Sequence, residues 1–303
     1  MPIYNITKGN LIEISEIPFD LEREIQGLVE SNMKTIFNLE FVRSEFELDG
    51  LRIDSFGFDQ ESKSFIIIEY KKERNFSVID QGYAYLSLLL NNKAEFILKF
   101  NENKKGFLKK DDVDWSQSRV IFISPIFSTY QRKAIEFRDL PIELWEVKKY
   151  TNNTILFNQI QAPAKSESIT TISQRSEIVK QVSKEVKVYD EQYHFQHASD
   201  MTKEMYNNLK NSIFLFGGDI VSKPMKKYIA FVRKTNFIDI VLRKSNLTLF
   251  INLKKGTLND PKKIARDVSN IGHWGNGDYE IKLVDLKNLS YILTLIKQSY
   301  DKN

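Results

Sequence analysis

The chain has 303 residues, of which 42% are apolar and 28% are charged, and it carries a net charge of +4. With 12 glycines, 7 prolines and no cysteine, this composition excludes collagen-like and low-complexity proteins, disulfides, thiolate zinc sites and cysteine nucleophiles. No apolar run reaches the roughly 20 residues that span a bilayer, so we expect no membrane association and a cytoplasmic location. At roughly 100–200 residues per domain, the length predicts two or three domains.

The first half of the chain predicts an alternation of helices and strands. Apolar residues at helical spacing predict a helix over 19–37 with Asp20 as its N-cap, and the pair Asp49-Gly50 predicts a turn between two strands. An apolar run over 65–68 suits a strand that is buried on both faces. The elements predicted after the first helix are strands 41–48, 51–58 and 64–71, helix 78–90, strands 94–100 and 119–124, helix 129–138, and strands 142–150 and 154–160. This order predicts a mixed-sheet α/β domain.

A stretch rich in Ser, Thr, Gln and Lys divides the chain. Residues 161–185 show no sustained period, which predicts a linker with a short helix from about Ser173. This linker would separate a domain at 1–160 from a domain at 186–303. The elements predicted in the second domain are helix 200–211, strands 228–233, 237–242 and 248–253, helix 261–268, strand 279–284 and helix 286–300. They predict a smaller α+β domain.

The two halves of the chain differ in charge. Residues 1–158 carry 21 basic and 25 acidic side chains, a net charge of −4, whereas residues 186–303 carry 19 basic and 12 acidic side chains, a net charge of +7. A basic domain hints at a polyanionic partner. Paired basic residues at its predicted strand ends would form either a solvated rim or a surface that follows phosphates.

The residues that indicate chemistry are Asp54 on the second predicted strand, and Glu69 and Lys71 on the third. Alternation along a strand places Glu69 and Lys71 on one face, and pairing of the two strands would bring Asp54 beside Glu69. Carboxylate oxygens are the ligands that Mg²⁺ prefers, and the bound ion stabilises phosphoryl charge and acidifies a water. The lysine would orient or deprotonate that water, or stabilise the transition state. Equally, charges at strand ends often only reach solvent.

This pattern resembles the PD-(D/E)XK nuclease superfamily, which has the restriction-endonuclease-like fold, in the branch with an added Gln-x-x-x-Tyr motif. Asp54 matches the metal-binding aspartate of that superfamily, and Glu69 and Lys71 match its (D/E)-x-K pair. Gln81 and Tyr85 match the added motif, and their spacing of four residues places them on one helix face. The resemblance therefore implies that these five residues form the catalytic site, with Asp54 and Glu69 as metal ligands.

The resemblance also implies a metal-binding glutamate on the first helix. Glu22 is the first choice for it by spacing, and Glu24 is the second. Arg52 is a candidate substrate-binding residue that would contact a phosphate. On a strand it would equally well pair with Glu69 or Glu45.

By this resemblance we expect a hydrolase that cuts DNA with Mg²⁺ or Mn²⁺, as an endonuclease rather than an exonuclease, in restriction, phage defence or DNA repair. A homodimer would allow one site per chain to cut both strands of a duplex. The alternative is a catalytically inactive nucleic-acid-binding or adaptor protein that retains the nuclease fold. Titration with a divalent metal ion distinguishes the two, because an intact site gains stability from the ion.

The C-terminal domain resembles a small domain of unknown function that is appended to predicted nucleases. The residues that carry this resemblance are Asn236-Phe237, Asp260-Pro261, 267–270 and Gly272-His273. The glycine-rich stretch 272–277 lacks the strand, helix and lysine of a P-loop. Its His273 and Trp274 are either ordinary loop residues or stack on a base.

Overall fold

The structure is a computed structural model that describes residues 2–72, 77–104, 107–137, 139–161, 166 and 176–303. It divides into two compact units, residues 1–188 and 189–303. Most of the predicted linker and the predicted helix end Arg138 lie outside the described residues. Among the helices that the structure describes, none is long and apolar enough to cross a membrane.

The first unit is built on a seven-stranded mixed sheet. In chain order the elements are β1 (Ile3–Thr7), β2 (Asn10–Ile14), β3 (Glu16–Ile17), α1 (Glu22–Phe37), β4 (Glu40–Leu48), β5 (Leu51–Asp59), β6 (Ser64–Tyr70), α2 (Val78–Asn91), α3 (Lys93–Lys104), β7 (Arg119–Ser124), α4 (Thr129–Ala134), β8 (Ile142–Tyr150), β9 (Ile155–Ile160) and α5 (Glu177–Glu185), with short 3₁₀ helices at Lys110–Asp112 and Trp115–Gln117. The strands of the sheet lie in the order β3-β8-β7-β6-β5-β4, and β9 pairs with β8. The predicted mixed-sheet α/β class is confirmed.

The strands β4, β5 and β6 form an antiparallel meander, and β6 continues into parallel pairing with β7. Asp49 and Gly50 turn β4 into β5 with φ angles of 48° and 77°, the left-handed conformation that a two-residue hairpin turn requires. On β5 and β6, Ser55 lies opposite Ile68. The same register continued by one residue places Asp54 opposite Glu69.

Two apolar cores lie on opposite faces of this sheet. The helix α1 buries Ile25, Val29 and Met33 on one face, and α2 and α3 cover the other. All seven residues of β6 are buried, which explains why its apolar run does not alternate with polar residues. Strand β6 therefore carries its one charged residue, Glu69, near its end.

Two predictions for the first unit are wrong. Residues 94–100, predicted as a strand, belong to helix α3, where Phe96 and Phe100 are four residues apart and both pack on Phe65. A short apolar run fits either element, because it is too short for its period to distinguish a strand from a helix.

Asp20 is not the N-cap of α1. Leu21 takes that position without a side-chain bond, and the Asp20 backbone N–H donates to Glu24.

The second unit carries a six-stranded antiparallel sheet of order β10-β11-β12-β13-β15-β14. Its elements are α6 (Glu191–Phe195), α7 (Asp200–Phe214), β10 (Val221–Pro224), β11 (Ile229–Val232), β12 (Asn236–Leu242), β13 (Leu247–Ile251), β14 (Arg266–Asp267), β15 (Tyr279–Leu283) and α8 (Leu289–Lys302). Helices α7 and α8 pack on one face of the sheet. The predicted α+β class of this part is confirmed.

The predicted helix 261–268 does not form. Instead, the Asp260 carboxylate accepts hydrogen bonds from the Ala265 N–H and the Tyr291 hydroxyl, and Lys263 has a φ of 53°. A short acidic side chain that bonds its own downstream backbone stabilises a turn in place of a helix.

Helix α5 packs on the first unit, although its sequence falls in the stretch predicted as a linker. Val182 and Val186 are buried in the core beneath α2. Lys93 pairs with Glu185, and the Lys187 N–H donates to the Ser116 carbonyl at 2.7 Å. The first unit is therefore complete only at residue 188.

We expect Val182→Ala to lower the free energy of unfolding by about 1–2 kcal/mol, because it removes two fully buried methyl groups and leaves a cavity. Ile178→Ala on the same helix is the matched control. Ile178 is 47% exposed, so its loss should stay within about 0.5 kcal/mol. Urea unfolding of both variants measures the difference. Equal effects would contradict the docking of α5 through Val182.

Candidate active site at the end of strands β5 and β6

Two carboxylates meet where the β5–β6 ladder ends. The backbone N–H of Asp54 donates to Glu69 Oε1 at 3.1 Å, and the N–H of Tyr70 donates to Asp54 Oδ2 at 3.0 Å. Each carboxylate thus accepts a hydrogen bond from a backbone N–H of the opposite strand that has no partner in the β5–β6 ladder. Because a buried N–H needs an acceptor, this exchange holds both carboxylates in place.

Lys71 follows the last residue of β6. Its N–H donates to the Ile123 carbonyl at 2.9 Å, which extends the pairing of β6 with β7 by one residue. Its Nζ lies 3.2 Å from Glu69 Oε2. The Lys71 side chain is partly exposed, whereas Glu69 is only 1% exposed. The ammonium therefore lies between the buried carboxylate and the solvent.

Burial dominates the electrostatics of this pair. Burial, followed by the negative charge of Asp54, raises the pKa of the Glu69 carboxyl from 4.5 to about 7, while the positive charge of Lys71 opposes the change. Burial also raises the pKa of Asp54, against the Tyr70 N–H and the charge of Lys71. Two buried carboxylates that repel each other form a site where an added cation is stabilised.

Helix α2 brings the predicted Gln-x-x-x-Tyr pair to the same place. Gln81 Nε2 lies 3.4 Å from Glu69 Oε2 and 3.1 Å from the Tyr85 hydroxyl. The Tyr85 hydroxyl donates to the Arg52 carbonyl at 3.1 Å, two residues before Asp54. Tyr83 is buried on a different side of the helix, where its hydroxyl faces Ser183 of α5.

Gly82 allows α2 to approach the sheet closely. A Cβ at this position would lie 2.5 Å from Ile142 Cδ1 of β8, closer than side-chain carbons pack. The helix begins with Ser77 as its N-cap, whose side chain accepts from the Asp80 N–H. The sequence pattern identified Gln81 and Tyr85, and it gave no sign of this spacing role for Gly82.

The structure separates the two candidate glutamates of the first helix. Glu22 Oε1 accepts from the Lys72 N–H at 2.7 Å, next to Lys71. Glu24 instead pairs with Lys149 at 2.6 Å, and this hydrogen bond lowers the pKa of its carboxyl. Glu22 is thus the one whose carboxylate reaches the end of β6.

Arg52 does not contact either central carboxylate through its side chain. Its Nε lies 3.3 Å from Glu45 Oε2, and both side chains are exposed. Of the two ion pairs that the sequence left open, the structure forms the one with Glu45.

One residue near the site was missed in the sequence. Gln26 Nε2 lies 3.2 Å from the Asp54 carbonyl and 3.0 Å from both Glu30 Oε1 and Glu45 Oε1. Gln26 and Glu30 follow Glu22 at intervals of four residues, so all three share one helix face. That spacing was the available signal. It was not used because the polar face of a surface helix is usually solvated.

No group of three or more His, Asp and Glu side chains among the described residues is arranged to hold a metal ion. Asp54 and Glu69 nevertheless form a pair of carboxylates that fits Mg²⁺. This ion is commonly bound through one or two carboxylates together with waters and phosphate oxygens of the substrate. The donor set is of the right chemistry, and a bound cation would offset the cost of burying two negative charges together.

The chain is similar along its whole length to an uncharacterized protein of Haemophilus influenzae. The two are 44% identical over 299 residues, which cover 99% of each chain. Residues 190–303 match the family described as a domain of unknown function, DUF5655.

Solved structures resemble part of the chain weakly. They include a repair endonuclease from Pyrococcus abyssi, with 15% identity over 40% of this chain and 45% of that chain, and an EndoMS complex with double-stranded DNA, with 15% identity over 40% and 43%. A third is Pyrococcus furiosus SfsA in complex with Ca²⁺, with 10% identity over 53% and 70%. All three have a TM-score of 0.24. The chain spans less than half the length of the two endonucleases, and the likeness concerns the fold alone.

The raised pKa of Glu69 predicts a pH-dependent stability. The folded state holds this proton up to a pH of about 7 and the unfolded chain only up to 4.5, so this group's contribution to stability falls as pH rises through that window. Without divalent metal, Glu69→Gln should therefore raise the free energy of unfolding at pH 8, by on the order of 3 kcal/mol. The gain should vanish below pH 4.5.

Denaturant unfolding of wild type and variant between pH 4 and 8 in a chelator tests this prediction. Glu47→Gln, at an exposed glutamate on β4, is the control for the loss of a carboxylate. A destabilised Glu69→Gln at pH 8 would show that the carboxylate is better solvated than its burial indicates.

Proposed function

We propose that this chain, which belongs to the same family as the uncharacterized Haemophilus influenzae protein, is a metal-dependent nuclease that hydrolyses phosphodiester bonds in DNA. The observation that carries the proposal is the buried Glu69 carboxylate, which meets Asp54, Lys71 and Gln81 at one strand end. It agrees with the resemblance of these residues to the PD-(D/E)XK pattern.

In this proposal Asp54 and Glu69 would hold Mg²⁺ or Mn²⁺. Glu22, whose carboxylate accepts the Lys72 N–H at the end of β6, would be the further carboxylate that the resemblance implies, although no three acidic side chains among the described residues are grouped around one point. The bound ion would supply stabilisation of phosphoryl charge and a more acidic water. Asp54 Oδ2 and Glu69 Oε1 accept backbone N–H donors of the neighbouring strand. The two carboxylates are therefore oriented before any ligand binds, as electrostatic preorganisation requires.

Lys71 contributes the positive charge of the site. Its Nζ is held against Glu69 Oε2 at the exposed end of the strand, where a phosphodiester can approach. From there it stabilises the negative charge that develops on the phosphoryl oxygens, or orients the attacking water. Gln81 holds the same Glu69 oxygen from the helix side, and Tyr85 fixes the backbone before Asp54 through the Arg52 carbonyl.

We expect Asp54→Asn to abolish cleavage together with the stabilisation by Mg²⁺, because it removes a proposed ligand charge. Lys71→Met should lower the cleavage rate by on the order of 10²–10³-fold and retain the stabilisation by Mg²⁺, because the ammonium is not a ligand. Lys34→Met, at an exposed lysine of α1, is the control with an unchanged rate. Cleavage is measured on supercoiled, linear, branched and single-stranded DNA and on RNA, and metal binding by thermal shift.

Wild-type cleavage by Asp54→Asn would contradict the site. Wild-type protein that binds DNA and cleaves none of these substrates with Mg²⁺ or Mn²⁺ would support the non-catalytic alternative.

The α2 contacts predict a split between two tyrosines two residues apart. Gln81→Ala and Tyr85→Phe should each slow single-turnover cleavage at saturating Mg²⁺, by about 1–3 kcal/mol of lost polar contact. Tyr83→Phe should keep the rate, since its hydroxyl faces Ser183. A slow Tyr83→Phe beside unaffected Gln81→Ala and Tyr85→Phe would mean that the other face of α2 serves the reaction.

A further inference from the structure

The loop 272–277 of the second unit is anchored on the face of the sheet that α7 and α8 leave open. Asp239 of β12 is fully buried there, at 0% exposure, and its Oδ2 accepts from the Asn276 N–H at 2.5 Å. Asn276 Nδ2 in turn lies 3.2 Å from the Tyr228 hydroxyl. A buried carboxylate that accepts a backbone N–H is a strong, charge-assisted anchor.

Two glycines bring this loop into direct contact with the sheet. A Cβ at Gly275 would lie 2.4 Å from the Phe250 ring, and a Cβ at Gly277 would lie 2.2 Å from the Ile251 carbonyl oxygen. Gly277 also has a φ of 82°, which favours glycine. His273 stacks on Phe250 with ring centroids 5.0 Å apart and planes 13° apart. The loop is thus held at four of its residues, His273, Gly275, Asn276 and Gly277.

Trp274 is the residue that this anchored loop leaves outside. Its side chain is 46% exposed, whereas Trp115 of the first unit is 8% exposed. Tryptophan is highly buried on average in folded proteins. The Arg243 guanidinium lies over the indole, 4.2 Å from the ring centroid, and does not bury it. Nearly half of the indole surface therefore stays accessible to a ligand.

Two cations, Arg243 and Lys282, lie on the same face of the sheet. Lys282 of β15 lies opposite Thr248 of β13, which in turn lies opposite Val241 of β12. Val241 is two residues after Asp239, so Lys282 is on the same face of the sheet as Asp239. In the part of the chain that the structure describes, no ion pair within 4.0 Å involves Arg243 or Lys282. By contrast, ion pairs within the same unit join Arg233 to Asp219, Lys255 to Asp267, and Arg266 to Glu280.

We propose that Trp274, Arg243 and Lys282, here called the Trp274 platform, bind single-stranded DNA. An unpaired base stacks on the Trp274–Arg243 pair, and the adjoining phosphates contact the two cations. Residues 189–303 carry 18 basic and 12 acidic side chains, a net charge of +6, which favours a polyanion. Because the indole is held by an anchored loop, little ordering opposes binding. The choice of DNA over RNA rests on the proposed nuclease function. The proposed stacking of a base on Trp274 is independent of that function.

The experiment uses the full-length protein in a chelator, so that no metal-dependent cleavage occurs. Binding of fluorescein-labelled dT15 is followed by anisotropy, and quenching of tryptophan emission by unlabelled dT15 is followed separately. Trp274→Ala should weaken dT15 binding by on the order of tenfold or more, and Trp274→Phe should retain most of it because a ring remains. Arg243→Ala and Lys282→Ala should each make the salt dependence shallower. Lys203→Ala, on helix α7 and paired with Asp200, is the control.

Wild-type dT15 affinity in Trp274→Ala, or unchanged quenching in Trp274→Phe, would overturn the platform. Equal affinity for a duplex of the same length would overturn base stacking, because duplex bases offer no free face. Tighter binding of rU15 than of dT15 would overturn the assignment to DNA. These outcomes differ from failure of the proposed nuclease, which would appear as absent cleavage in Mg²⁺ with dT15 binding still dependent on Trp274.

Discussion

The site depends on the exchange of hydrogen bonds between the Asp54 and Glu69 positions at the point where the β5–β6 ladder stops. In an ordinary sheet the next backbone pair would continue the ladder. Here the carboxylates take over as acceptors for the N–H groups of Asp54 and Tyr70. The same bonds that end the sheet therefore position the two acidic groups, and no flexible loop is involved.

The surrounding fold makes this arrangement rigid and at the same time electrostatically unfavourable. Strand β6 is buried along its whole length, so Glu69 is removed from water, and Lys71 and Gln81 lie near its outer oxygen. Carboxylates that are buried beside each other lower the stability of the unliganded protein. Groups with strongly raised pKa values cluster at functional sites in proteins for this reason. The sheet also separates two apolar cores, so Glu22 reaches the strand end from one side and Gln81 from the other.

Much of the fold follows from local patterns. The Asp49-Gly50 turn, the unbroken apolar run of β6 and the i, i+4 spacing of Gln81 and Tyr85 were sufficient to predict the β4–β5 hairpin, the burial of β6 and the shared helix face of the two polar side chains. Helix α3 was predicted as a strand. Its apolar residues pack on the phenylalanines of β5 and β6. Such tertiary contacts leave no periodic pattern in a short segment, so the sequence alone did not distinguish helix from strand. The contacts of Gln26 were missed for a related reason. A polar helix face has the same sequence pattern whether it meets solvent or a strand end. The roles of the site residues in catalysis stay predictions.

Gly82 has a consequence for how the protein tolerates change. The contact between Gln81 and Glu69, at 3.4 Å, is already longer than most hydrogen bonds, and it exists because α2 lies close to Ile142. Any side chain at position 82 must displace either Ile142 or the helix, and a displaced helix takes Gln81 out of reach. Positions 82 and 142 are therefore coupled: a larger residue at the first is compatible with the site only beside a smaller residue at the second. A motif of polar residues is in this way tied to an apolar position on a distant strand that makes no contact with the chemistry.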